Sequence, residues 1–249
     1  MTAAHANDGQ WECRCGRANA RNDARCPACG IIHVRVSQLE GLRYWRDQED
    51  STLDDLLARL RGDGPETDQM QAGRALAKFF EHADDNAYGE AHVDGWSFSF
   101  EVDAEFTRPA HRELEGSIVI ETPSGPVLLT GHCDGLAWRA VRDQKLTERW
   151  DAERYLDSLQ WRAYLVLFDA TSFTYDVFVG RYQRRDTRTR FDPAGQDAWE
   201  EPGRMVTITE YHPMTFYAYP DMRRDVERAV AELAAIIVRH LGGANSRAA

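Results

Sequence analysis

The spacing of apolar positions changes several times along the chain, and each change marks a different kind of element. Leu53, Leu56, Leu57 and Leu60 fall at helical spacing and the segment ends at GDGP, which predicts one short helix in a connector over 34–65. A second helix is predicted from about Thr67 to His82, with Met70, Leu76, Phe79 and Phe80 on its apolar face. At Trp96 the period switches to two. WSFSFEVDAEF alternates cleanly, and strands are predicted at 117–121, 127–133 and 136–142, with PSGP as a turn. Residues 152–168 return to helical spacing, and 173–182 and 204–210 read as strands. A long helix over 220–241 carries Met222, Val226, Val230, Leu233 and Ile237 in one stripe. The arginine-rich RYQRRDTRTR, 181–190, reads as a solvated loop.

Helix, several strands, helix, two strands and a helix predict an α/β domain over 66–249, built on a central mixed sheet with helices on both sides. At 249 residues with 43% hydrophobic residues, the chain can bury one sizeable core plus a small accessory module. No window approaches the roughly 18 apolar residues of a membrane-spanning helix. The opening MTAAHANDGQ has neither the basic nor the apolar part of an export signal, so a cytoplasmic location without membrane contact is expected. A net charge of -11 argues against unspecific electrostatic binding of nucleic acid, while clustered carboxylates are what a divalent-cation site needs.

Four of the five cysteines lie within WECRCGRANARNDARCPACG: Cys13, Cys15, Cys26 and Cys29. Two tight pairs with a glycine after each suit tetrahedral zinc in a ribbon over 1–33, with an iron–sulfur cluster as the rival. Trp11, the two pairs and Asn19 resemble the Ran-binding-protein type of zinc finger, although only Arg14 separates the first two cysteines. That resemblance implies a single-stranded nucleic acid or a protein partner at the finger. Arg14, Arg17, Arg21 and Arg25 would supply its basic surface. Cys133, alone in a strand, reads as a small buried hydrophobe.

GHCDGLAWRAVRDQKL, 131–146, puts charges into a predicted sheet. Asp134 stands between Gly131 and Gly135, which would leave room for a ligand. Asp143 and Lys145 are two apart and share one face of a strand. Two carboxylates around a cation, with a lysine beside them, are the groups that phosphodiester hydrolysis requires. Gln160 and Tyr164, four apart on the helix over 152–168, direct an amide towards the core.

This order of motifs resembles the RecB-like exonuclease branch of the PD-(D/E)xK nuclease superfamily, over most of 67–241. GRALAKFFE looks like the family's first helix, with Glu81 at its glutamate position and Ala77 where a histidine is usual. GHCDGL matches the Gly-x-x-Asp element, RDQKLT the Asp-x-Lys element, and SLQWRAY the Gln-x-x-x-Tyr element. The resemblance implies a restriction-endonuclease-like sheet and metal-dependent hydrolysis of DNA. Magnesium or manganese would be held by Asp134, Asp143, the Gln144 carbonyl and Glu81, with Lys145 acting on the attacking water and Gln160 and Tyr164 near the substrate strand. It points to exonuclease or DNA-end processing in recombination, repair, phage replication or defence. The missing histidine favours the alternative, a nuclease fold without turnover that binds nucleic acid or docks a protein.

Overall fold

A computed structural model describes residues 10–20, 23–63, 66–82, 90–102, 111–191 and 198–241. The N-terminal segment contains β1 (Gln10–Glu12) and β2 (Ala18–Ala20) and leads into β3 (Ile32–Arg35), α1 (Val36–Asp47), α2 (Leu53–Arg61) and α3 (Asp68–His82). Strands β4 (Glu90–Val93), β5 (Trp96–Phe100), β6 (His111–Thr122), β7 (Gly125–Ala137) and β8 (Ala140–Thr147) follow. The chain continues through α4 (Glu153–Leu156), α5 (Leu159–Leu167), β9 (Ser172–Phe191), β10 (Ala198–Tyr217) and α6 (Met222–His240). Eight strands form one mixed sheet in the order β3-β7-β8-β9-β10-β5-β4, with β6 paired to β7.

Side-chain alternation along β9 divides the core between two faces. Phe173, Tyr175 and Val177 point to one face, where α1, α2, α5 and α6 cover the sheet, and Phe178 points to the other, where α3 packs. The molecule is therefore helix, sheet, helix, as the α/β pattern predicts. The stripe on α6 is buried as read: Met222, Val226, Val230, Leu233 and Ile237 all lie in the first face's core.

Several elements differ from the sequence reading. The stretch 34–65, read as a connector with one short helix, supplies two helices whose Leu39, Leu42, Leu56, Leu57 and Leu60 belong to the main core. In α2, Thr52 caps the first turn: its Oγ1 accepts from Asp55 N at 3.2 Å and its backbone N–H donates to the Asp55 carboxylate at 2.8 Å. Gly62 ends that helix at φ 76°, a conformation glycine adopts without strain. The helix expected over 152–168 is broken, and Ser158 starts the second piece by accepting from Gln160 N at 3.1 Å. Residues 127–133 and 136–142 are not two strands, because β7 runs unbroken through Asp134 to Ala137.

Residues 181–190, expected as a loop, continue β9 into a two-stranded ribbon with β10, paired as far as Phe191↔Ala198. Pairing between the two long segments matches the inward-facing backbone groups of each, which a loop could not achieve. Of the alternating stretch at 96–106, β5 covers the first five residues, and 103–110 lie outside the described residues. No helix among the described residues is long and apolar enough to cross a membrane.

His33 joins the ribbon to the main sheet. Its Nε2 lies 2.9 Å from Thr130 Oγ1 on β7, and its ring stacks on Trp11 with centroids 4.3 Å apart. Burial, then the charge of Arg35, pushes the imidazole down to about 4. The folded protein keeps it neutral while the unfolded chain protonates it near the ordinary 6.5, so stability falls as pH drops from 6.5 to 4. That window is worth about 3 kcal/mol. Urea unfolding near pH 7 and near pH 4 should show His33→Phe losing about 3 kcal/mol less than the native chain. Equal losses would place the pH sensitivity elsewhere.

Candidate active site

Strand β7 has two edges and three neighbours. Along one edge β6 pairs from Thr122↔Gly125 to His111↔Leu136. On the other edge β3 takes Val127 to Thr130 and β8 takes Gly135 to Ala137, leaving 131–134 between them. After Arg142, β8 leaves β7 and continues only beside β9. The two strands thus fork where Asp134 and Asp143 stand. The fork is held by a side chain, since the Asp134 carboxylate accepts from the backbone N–H of Gln144.

On β8, Val141, Asp143 and Lys145 share the face covered by α5. Asp143 is 3% exposed and forms an ion pair with Lys145. The amide of Gln160 donates to Asp143 Oδ1 at 3.2 Å. Behind it, Tyr175 OH donates to Gln160 Oε1 at 3.4 Å and lies 2.9 Å from Ser158 Oγ. Ser158 Oγ and Leu159 N both donate to Glu40 Oε2, at 2.9 and 3.1 Å. The buried amide that the sequence calls for has its partners, and a carboxylate from α1 anchors the helix carrying it. Sequence reasoning missed Glu40 because nothing in the spacing of α1 distinguishes it from a surface glutamate.

Burial, then the charge of Asp143, pushes Asp134 up to about 8. Burial also raises Asp143, against the pull of Lys145. Burial opposes the charge on Lys145, but Asp143 and Asp134 outweigh it and hold the ammonium above its ordinary value. Two carboxylates are therefore crowded together with one cation between them.

Glu81 ends α3 on the opposite face. Arg112 on β6 ties that end down, donating to the carbonyls of Glu81 and Phe80. Between Glu81 and the fork stands Glu113, which the sequence reading passed over. It lies opposite Asp134, bracketed by Arg112↔Gly135 and Leu114↔Cys133, and its backbone is left-handed at φ 49°. Burial, then repulsion from Glu81, raises its carboxyl. A bulky residue held at positive φ inside a strand marks a constrained position. The available signal was alternation in HRELEG, six residues before the first strand predicted there.

Tyr164 meets the strand of Asp134, and at Gly131 the structure differs from the sequence reading. The Tyr164 hydroxyl donates to the carbonyl of His132, tying α5 to the strand of Asp134. A Cβ at Gly131 would lie 2.8 Å from both Tyr164 and Val36 and 3.0 Å from Leu167. The room this glycine provides is thus filled by α5, with none left for a ligand. Cys133 is buried as read, and burial, then the Asp134 charge, pushes its thiol up to about 12.

The four cysteines of the ribbon have sulfur atoms all within 4.8 Å of one another. Cys13 Sγ to Cys29 Sγ is 3.4 Å and Cys15 Sγ to Cys26 Sγ is 3.7 Å. A zinc tetrathiolate with Zn–S of about 2.3 Å has S···S edges of about 3.8 Å, so the set fits that ion. Gly16 and Gly30 turn the two knuckles at φ 81° and 78°. Burial raises Cys26, yet the backbone N–H groups of Cys29 and Ala28 and the neighbouring thiols bring it down to about 6. Trp11 and Asn19 are buried at 7% and 3%, with Trp11 Nε1 donating to the Asp23 carbonyl at 3.0 Å. Arg14 and Arg17 are exposed, Arg25 Nε donates to the Gly30 carbonyl at 2.8 Å, and Arg21 lies outside the described residues. The ribbon packs Trp11, Cys13, Cys26 and Ile31 against Leu128 of β7.

Among the described residues no other group of three or more ligating side chains is drawn together so closely; Glu81, Asp134 and Asp143 stand wider apart. The donor chemistry at the fork nonetheless suits a hard divalent cation, since oxygen ligands with uncompensated negative charge are what such ions take.

No protein-family model and no characterised protein sequence matches the chain. Solved structures resemble it in arrangement. The SSO0001 structure superposes with a TM-score of 0.44 at 12% identity, covering 82% of this chain and 76% of that one. LHK-Exo, an alkaline exonuclease from Laribacter hongkongensis crystallised with dAMP, gives 0.40 at 12% identity over 83% and 88%. A phage-related exonuclease from Haemophilus somnus gives 0.36 at 12% identity over 85% and 96%.

Proposed function

We propose that the chain is a metal-dependent nuclease that hydrolyses DNA phosphodiester bonds, acting as an exonuclease or DNA-end-processing enzyme. The observation that carries this reading is the fork of β7 and β8, which brings Asp134, the Gln144 backbone, Asp143 and Lys145 to one point. Asp134, Asp143 and the Gln144 carbonyl would hold magnesium or manganese, with Glu81 and Glu113 facing the site from α3 and β6. When bound, such an ion supplies positive charge to a phosphate oxygen and makes a water more acidic.

The chain's own groups do the rest. Lys145 carries a full positive charge beside the two carboxylates, where it can orient the attacking water and offset charge that develops on the phosphate. Gln160 fixes the rotamer of Asp143, and the Glu40–Ser158–Tyr175 chain fixes Gln160. Tyr164 holds the backbone next to Asp134. Zinc in the ribbon is structural in this reading, and Arg14 and Arg17 remain available there for a phosphate or an acidic partner.

The test is a digest of end-labelled linear DNA and of covalently closed circles, single- and double-stranded, with magnesium, manganese or chelator. Metal-dependent loss of linear DNA with circles spared is the expected result. Cleaved circles would replace end processing with an endonuclease, and failure to cut any substrate would favour a binding module that has lost turnover.

A further inference from the structure

Strands β9 and β10 run past the sheet that carries the fork. Strand β8 accompanies β9 only as far as Thr147↔Val179, and β5 accompanies β10 only from Arg204↔Trp96 to Ile208↔Phe100. From Arg185↔Gly203 outward to Phe191↔Ala198, the two strands pair only with each other among the described residues. They form a two-stranded arm with two open edges. Such a ribbon is marginal in water when left to itself, and open edges invite unwanted pairing, so nothing in the folding of the domain calls for it.

Positive charge is concentrated on this arm. RYQRRDTRTR, 181–190, holds five arginines in ten residues, in a chain with 30 lysines and arginines in 249. Over the described residues 181–191 and 198–204, six arginines stand against Asp186, Glu200 and Glu201, a net charge of +3 in a chain of net charge -11. Cross-strand pairing offsets one of these charges, since Arg188 stands across from Glu201. The others have no acidic register partner. Arg184 stands across from Arg204, Arg185 from Gly203 and Arg190 from Trp199, and like charges set directly opposite repel. Arg204 is engaged at the root of the arm, donating from Nη1 to Gln71 at 2.7 Å and lying 3.9 Å from Asp68.

We propose that the β9–β10 arm binds the phosphate backbone of duplex DNA away from the fork. The major groove, roughly 12 Å wide, admits a two-stranded β-ribbon, and arginine is the residue suited to bidentate pairing with phosphate. The arm's place in the fold suits a long substrate. Lys145 is level with Val177 on β9, and Arg184 and Arg190 lie seven and thirteen residues further along that strand. At about 3.3 Å per residue, Arg184 stands roughly 23 Å beyond the level of Lys145, the length of about seven base pairs. The choice of DNA rests on the nuclease reading, but the test reads binding alone.

Fluorescence anisotropy with a labelled duplex of about 30 base pairs, and with one of its strands alone, tests it on the full chain over a range of salt, with zinc as the only divalent cation. The comparison is a triple variant, Arg184→Gln with Arg185→Gln and Arg190→Gln, which leaves Arg188 and its register partner Glu201 in place. Each phosphate contact contributes about 0.9 to the slope of log K against log salt. The triple variant is therefore expected to flatten the duplex slope by about 2.7 and to weaken duplex binding at least tenfold. Lysine at the same three positions should restore most of both, and melting should stay level in either variant because the arm lies outside the core. An unchanged slope and affinity, an equal loss on the single strand, or a loss that lysine does not restore overturns the proposal. Duplex binding through the arm by a chain that cuts no DNA would sink the nuclease reading and leave this one standing. Cleavage by the native chain, with a salt slope that the glutamine variant leaves unchanged, would do the reverse.

Discussion

Lys145→Ala is expected to slow DNA cleavage by about 1,000-fold, close to 4 kcal/mol of lost transition-state stabilisation. The effect should lie in turnover and leave metal affinity intact. Lys145 sits on Asp143 and competes with a cation for the same carboxylate, so removing it leaves the metal requirement unchanged or lowers it. Asp134→Asn should behave differently. It replaces a charged ligand by a neutral amide and leaves Gln144 N–H a weaker acceptor, so the metal concentration giving half-maximal rate should rise along with the loss of rate. Metal titrations of single-turnover cleavage separate the two variants. If both shifted the metal requirement equally, Lys145 would be a structural counter-ion with no part in the chemistry.

The second large effect is expected at the ribbon, far from the fork. With free zinc at 1,000 times its dissociation constant, the ion adds about 4 kcal/mol to folding. For a chain of this size that is on the order of 10 °C in melting temperature. Cys26→Ser, which removes one of the four sulfur ligands, should therefore lower melting by about that much and abolish zinc in elemental analysis. Cleavage should fall with it, since Trp11, Cys13 and Cys26 pack on Leu128 and β3 pairs with β7, the strand that carries Asp134. A ribbon that merely docked a partner would melt or empty without affecting cleavage of naked DNA.

The parts of the fold legible in the sequence are those where periodicity and chemistry agree. The stripe on α6, the helix ending in Glu81 and the Asp-x-Lys strand are each fixed by local spacing, and all appear as elements of the structure. Helix α2 was legible from its leucines, whereas α1 was not, because its few apolar positions are buried by α5 and α6, which lie far away in sequence. The ribbon over 181–190 was hidden by its arginines: charge reads as loop, and only the long antiparallel register with β10 makes it a strand.

At the fork, Asp134, Asp143, Lys145 and Gln160 could be picked out in the sequence as polar groups in one region, but the geometry around them could not. Gly131 and Gly135 look alike in sequence, and whether a glycine admits a ligand or a packed helix depends on what stands opposite, here Tyr164 and Val36 for Gly131. Glu113 could not be separated from its neighbours Glu115 and Glu121, because only the pairing of β6 with β7 sets it across from Asp134.

In the proposed function, Asp134, Asp143 and Lys145 at the fork cleave DNA with a divalent cation. This is tested most directly by single-turnover cleavage of an end-labelled linear duplex in manganese by the native chain and by Asp143→Asn, with both proteins shown by melting to be folded. Cutting by the native chain that chelator stops is expected, with a rate at least 1,000-fold lower in Asp143→Asn. Cleavage at the native rate by folded Asp143→Asn would contradict it.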